Sequence, residues 1–140
     1  WEGGHIAVEV KLPSRSVEYA ILDTGAAMFT FTPFDQVIWI DMKAKTRQKE
    51  QAALSLKLPA VSNTITCEIK NMSTEMVVGK YNLSGGLFGY CDAPAPKFAV
   101  DTVGIVGMKE FLEGSLVLDY VAHKWKFIHQ EVQLPEYPAR

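Results

Sequence analysis

Seven consecutive residues, Ala20-Ile21-Leu22-Asp23-Thr24-Gly25-Ala26, constrain this chain more than any other stretch. Three apolar residues run straight into an acid, a hydroxyl and a glycine, and apolar sequence resumes at Met28, Phe29 and Phe31. A carboxylate with those flanks is expected near the core, where an unpaired charge costs on the order of several kcal/mol. Thr24 can hydrogen-bond locally, and Gly25 admits a turn or a close approach that a Cβ would block. Asp before Gly usually serves as a turn residue that accepts backbone N–H bonds in polar surroundings. Here the surroundings are apolar, which calls for another reason.

The chain has 140 residues, the size of one domain able to bury a core. Apolar residues make up 48% and charged residues 21%, a globular balance that argues against disorder. A net charge of −2 implies no strongly charged partner. The densest positive run, from Lys43 to Lys49, has no interleaved aromatics and reads as a solvated face, not a nucleic-acid surface. No apolar run approaches the roughly 18 residues of a membrane span. The start at Trp1, without an initiator Met or a signal-peptide pattern, reads as a processing or cut position.

Cys67 and Cys91 are too few for a disulfide scaffold and lack metal-ligand spacing. They can pair in an oxidising compartment or remain two buried thiols. Asn71-Met72-Ser73 and Asn82-Leu83-Ser84 match the glycosylation pattern, which matters only in a eukaryotic secretory setting, so the compartment stays open. His5, His123 and His129 have no mutual metal spacing and read as surface residues; Trp39, Trp125, Tyr19 and Tyr120 read as packing residues.

Ile6, Val8, Val10 and Leu12 alternate with other residues over 5–12, a strand pattern, and a second strand over 17–22 ends at Asp23. A short β-prone run over 28–32 stops at Pro33, which is expected to open a helix over 34–42, with 43–53 either helix or connection. Alternation over 54–58 and 64–69 around a break at 59–63 predicts a hairpin. Further strands are expected over 76–81 and 87–91, with Ser84-Gly85-Gly86 between them and Ala93-Pro94-Ala95-Pro96 as a stiff connector. Val103-Gly104-Ile105-Val106-Gly107 leads into a short helical turn with Phe111 and Leu112, stopped by Gly114. Residues 115–120 and 125–128 predict a closing hairpin, and the tail from Gln130 reads as a linker.

Two separated motifs thus occur in a set order: Asp23-Thr24-Gly25-Ala26 early, and Ile105-Val106-Gly107 late, followed by a helical turn and Leu118-Asp119-Tyr120. This pattern resembles the single-domain retropepsin-like aspartic proteases, with their cellular and bacterial relatives favoured. The resemblance covers residues 6–128, with 43–99 carried by order and alternation only. It implies a mainly β, closed, barrel-like acid-protease fold with one or two short helices over 1–129, and a tail over 130–140.

It also implies an aspartic endopeptidase that acts on a peptide or protein substrate without metal or cofactor. Catalysis in the family needs two facing aspartates around one water. Like charges that close share a proton, so one member takes a proton from water while the other donates to the carbonyl oxygen. The chain holds one Asp-Thr-Gly. Asp101-Thr102-Val103 lacks the glycine and reads as an ordering acid, so the second aspartate is expected to be Asp23 of another copy across a two-fold axis.

Thr24 would bond across the dyad, Gly25 would leave room for water and substrate, Ala26 would complete the loop, and Ile105, Val106 and Gly107 would support it from behind. The acid and the arginine that pair behind this loop in retroviral members are replaced by Ala27 and Met108, which strands no charge but removes that clamp. The substrate-covering hairpin is expected at 54–69, or alternatively at Gly85-Gly86. Two other readings remain: a protease-fold binding or assembly module without activity, and one lobe of a larger two-lobed enzyme.

Overall fold

The computed structural model describes residues 4–46, 53–59, 63–98 and 101–130. In chain order the elements are β1 (Ile6–Lys11), β2 (Val17–Leu22), β3 (Phe31–Pro33), α1 (Gln36–Lys45), β4 (Leu54–Pro59), β5 (Thr64–Met72), β6 (Met76–Val78), β7 (Tyr81–Leu83), β8 (Gly86–Cys91), β9 (Gly104–Val106), a 3-10 turn (Lys109–Phe111), β10 (Gly114–Asp119) and β11 (Lys124–His129). The protein is mainly β. No helix among the described residues is long and apolar enough to cross a membrane.

Contacts divide the chain into two compact units, the first ending at Glu110 and the second beginning at Phe111. The first unit holds a nine-stranded sheet in the order β4-β5-β8-β3-β9-β2-β1-β6-β7. Alternation in β1 buries Ile6, Val8 and Val10 and leaves Glu9 and Lys11 exposed. The end of β2 does not alternate, and Ala20, Ile21 and Leu22 are all buried. That strand lies inside the sheet between β1 and β9, and a strand covered on both faces is apolar on both.

The expected closure into a barrel is not found: the order ends at β4 and β7, and no pairing joins them among the described residues. The outer strands offer poor ladders for closure, because β7 is three residues long and β4 ends at Pro59, which has no N–H.

Three local expectations shift. The helix starts after Asp35, whose Oδ1 accepts from the Val37 N–H at 2.7 Å, while Pro33 ends β3 instead. A carboxylate N-cap satisfies an orphan donor that Pro33 could not. The strand expected over 76–81 is a hairpin, β6 paired with β7, turning at Gly79 with φ +57°. Gly85-Gly86 is not a hairpin tip, since it joins β7 to β8, which are not neighbours in the sheet. The β4–β5 hairpin forms in the expected place, Leu54 opposite Ile69 through Pro59 opposite Thr64. Its tip at 60–62, the segment 47–52 and the tail beyond Gln130 lie outside the described residues.

Helix α1 is joined to the sheet by a polar cluster. Trp39, 1% exposed, donates its indole N–H to Glu68 Oε2 at 3.0 Å, and Lys43 Nζ donates to Glu68 Oε1 at 2.8 Å. Tyr90 stacks on Trp39 from β8, with ring centroids 6.4 Å apart. Desolvation raises the pKa of Glu68, but the hydrogen bonds from Lys43 and Trp39, with the charges of Lys43 and Lys70, outweigh it and leave the pKa lowered. Cys67 and Cys91, directly opposite on β5 and β8, form a disulfide.

The second unit contains the β10–β11 hairpin, where Phe111 meets Trp125 and Phe127 edge-on at centroid distances of 6.2 and 5.2 Å. Gly114 begins β10 directly after the turn. Asp119 Oδ1 accepts from the N–H groups of Val121 and Ala122 at 3.0 and 2.8 Å, which closes the hairpin turn.

Two outcomes follow for stability. A carboxyl with a lowered native pKa stabilises the fold above its unfolded value, and that contribution is lost as pH falls through the native value. The stability difference between wild type and Glu68→Gln should therefore be present at neutral pH and vanish in strong acid. It should stay below about 1 kcal/mol, because the Glu68 carboxylate is partly solvated; urea midpoints across pH measure it. Reducing the Cys67–Cys91 bond should lower unfolding free energy by about 3.4 kcal/mol, the loop-entropy value for a separation of 24 residues. Denaturant curves with and without reductant measure that change.

Candidate active site

Asp23 is the first residue past β2, and its position is set by β9. The two strands run parallel, Ile21 opposite Ile105 and Leu22 opposite Val106. The ladder extends one step further, because the Asp23 N–H donates to the Val106 carbonyl at 3.0 Å. On its other side β9 pairs antiparallel with β3, Phe31 opposite Val106 and Thr32 opposite Ile105. β9 therefore lies between the strand that enters the Asp23 loop and the strand that leaves it.

The same seam continues past β9. Gly107 N–H donates to the Thr30 carbonyl at 3.1 Å, and Met108 N–H donates to the Ala26 carbonyl at 2.7 Å. Gly107 is fully enclosed by these groups. A Cβ there would lie 2.7 Å from the Ala26 carbonyl oxygen and collide with that of Phe29. Only a residue without a side chain lets residues 106–108 pass this close to the loop backbone.

Within the loop, the Gly25 N–H donates to Asp23 Oδ1 at 2.9 Å and the Ala26 N–H to the Asp23 carbonyl at 3.2 Å. Asp23 is half-buried, Thr24 and Gly25 are exposed and Ala26 is half-buried. The acid expected near the core thus stands at its rim, where β2 comes to the surface. The cost of its charge is met partly by a backbone donor and partly by water.

Ile105 is half-buried, while Val106 and Gly107 are buried. Ala27 is exposed and Met108 half-buried, and since neither side chain is ionisable no ion pair joins these two positions. Asp101 is exposed, and nearby Val103 serves the backbone, its N–H donating to the Tyr19 carbonyl at 2.8 Å and its carbonyl accepting from Phe34 at 3.0 Å.

An open cleft of about 590 Å³ lies elsewhere in the first unit, lined by Gln36, Ala53, Ser55, Thr66, Glu68, Tyr90 and Asp92. No residue of the Asp23 loop lines it. Among the described residues, no group of three or more His, Cys, Asp or Glu is placed to hold a metal ion.

Comparison with protein-family models and with curated proteins finds no match to this chain.

Two polar residues that the sequence reading did not single out belong to this region. Thr30, 1% exposed, donates its hydroxyl to Glu110 Oε1 at 2.9 Å. The available signal was a hydroxyl inside the apolar run 28–31 and an acid in the turn Lys109-Glu110-Phe111. Nothing in either stretch points to the other.

Replacing Gly107 by Ala should destabilise the protein by about 3 kcal/mol or more, at the upper end of the range for overpacking, because the Cβ meets backbone that cannot turn aside. The same change at exposed Gly4, which has open space for a Cβ but a φ of +79°, should cost about 1 kcal/mol. Chemical denaturation of both variants makes the comparison.

Proposed function

We propose that this protein is a retropepsin-like aspartic endopeptidase in which Asp23 and the Asp23 of a second copy hydrolyse peptide bonds through a shared water. The observation that carries this reading is the seat of Asp23. A carboxylate just past the buried end of β2 is held in place by a late Ile-Val-Gly segment, with Thr24 and Gly25 left exposed. A turn acid needs none of that support. The retropepsin form of the fold is part of the same proposal, and rests on the order of the two motifs and their parallel pairing, not on barrel closure.

In this mechanism the two carboxylates hold one proton between them, because two charges so close cannot both persist. The ionised member accepts a proton from the water that attacks the substrate carbonyl, and the protonated member donates to the carbonyl oxygen. Gly25 positions the first carboxylate through its N–H bond to Oδ1 and, having no side chain, keeps the approach open. Each chain supplies half of the site, so the active form is a two-fold dimer. The substrate is an extended peptide or protein segment.

The Gly25 bond to Oδ1 also suits a purely structural acid, the reading in which the fold has lost its chemistry or serves as a binding module. Asp23→Asn separates the two, because the amide oxygen can still accept that bond. Stability should change by less than about 1 kcal/mol. Cleavage of a mixed peptide library between about pH 4 and 7 should fall at least about a thousandfold. Cleavage that persists in Asp23→Asn overturns the proposal, and a monomeric wild-type protein that cleaves nothing favours the silent module.

A further inference from the structure

We propose that Thr30 and Glu110 are positioning residues for Asp23, forming a side-chain tie that locks the Asp23 loop to the segment behind it. The inference rests on the reading of Asp23 as catalytic and adds residues that neither motif contains.

Thr30 is the point where three segments meet. Its N–H donates to the Leu87 carbonyl of β8 at 2.7 Å, its carbonyl accepts from Gly107 at 3.1 Å, and its hydroxyl donates to Glu110 at 2.9 Å. All three of its polar groups are engaged, as burial demands. The two backbone bonds fix the loop exit against β8 and against Gly107. Neither restrains the turn that follows Met108. The hydroxyl bond does, because Glu110 is the second residue of that turn.

Room for the tie is built into β8. A Cβ on Gly86 would collide with the Thr30 hydroxyl and lie 2.9 Å from Glu110 Oε1. The first residue of β8 is thus a glycine at the spot where the two side chains meet. Restraint passes to Asp23 by a short route, since Met108, two residues before Glu110, holds the Ala26 carbonyl, and Val106 holds the Asp23 N–H. Losing the tie frees the 107–110 segment to move and the loop to move with it. Ala27 and Met108 provide no alternative polar link between the two segments.

The test uses hydrogen exchange on the full chain, alongside hydrolysis of fluorescein-labelled casein. Thr30→Val removes the hydroxyl at constant shape and Glu110→Ala removes the acceptor; Thr30→Ser and Glu110→Gln keep a donor and an acceptor. The amides of Gly107 and Met108 should exchange at least about tenfold faster in the first two variants, remain within about threefold of wild type in the conservative two, and be no faster in the double variant than in either single one. Val8 and Val10 in β1 should keep wild-type exchange. In the casein assay, kcat should fall about tenfold in Glu110→Ala with KM within about twofold.

Unchanged exchange at Gly107 and Met108 in Glu110→Ala, additive effects in the double variant, or equal acceleration at Val8 and Val10 would each overturn the positioning role. A wild-type protein that cleaves no casein under conditions where it is dimeric counts against catalysis by Asp23 and so against a positioning role in it. In that case the exchange pattern still reports separately whether the tie itself exists.

Discussion

The pairing of β2 with β9 is the constraint on which the rest of the first unit depends. Parallel strands cannot be joined by a tight turn, so everything from Asp23 to Val103 is the crossover that brings Ile105 beside Ile21. Closing so long a loop carries an entropic cost, recovered only when β3 and β8 also pack. The result is that β9, three residues long, is enclosed on both sides, and Asp23 inherits its rigidity by extending the ladder one residue past β2. An acid on a free turn would sample many orientations. This one has its backbone fixed by a strand that sits within the sheet.

Polar groups in the first unit are handled in two distinct ways. Around Glu68 the bonds join side chains and are partly solvated: Lys43 and the Trp39 indole hold one carboxylate and fasten α1 to β5. Around Thr30 the side chain is buried and its backbone groups are bonded as well, joining three segments far apart in sequence. The first arrangement can loosen while the sheet keeps its order. The second cannot, because the same residue closes the seam between β3, β8 and residues 107–110. The disulfide adds a covalent link between β5 and β8, on the side of the sheet towards β4.

Much of the strand content was legible because period-two alternation marks a strand, although it does not always mark burial: Leu54 and Leu56 of β4 are exposed. Ile6, Val8 and Val10 face inward in β1 at the spacing the sequence shows, and the β4–β5 and β10–β11 hairpins fall where turn residues interrupt alternation. The errors have local causes. Gly79 sits inside an apolar run and turns it back on itself, and the helix begins where Asp35 can cap it, not where proline stands. Barrel closure was an expectation of resemblance, and strand order is a property of hydrogen-bond partners that no single segment encodes. The parts of the candidate site were equally uneven: Asp23, Thr24 and Gly25 stood out as a motif, while Thr30 and Glu110 did not.

By itself the sequence determined the inward face of β1, the places of the β4–β5 and β10–β11 hairpins, and that an acid between apolar flanks needs structural support. Those properties follow from side-chain polarity and backbone freedom over a few neighbouring residues. The tertiary structure decided the remainder: that the two cysteines are bonded, that the acid stands half-buried at the core's rim, that Gly107 must lack a side chain, and that Thr30 meets Glu110. Each of these depends on strands from distant parts of the chain coming within hydrogen-bond or van der Waals distance. That proximity arises from the register of the whole sheet, and no short stretch contains it.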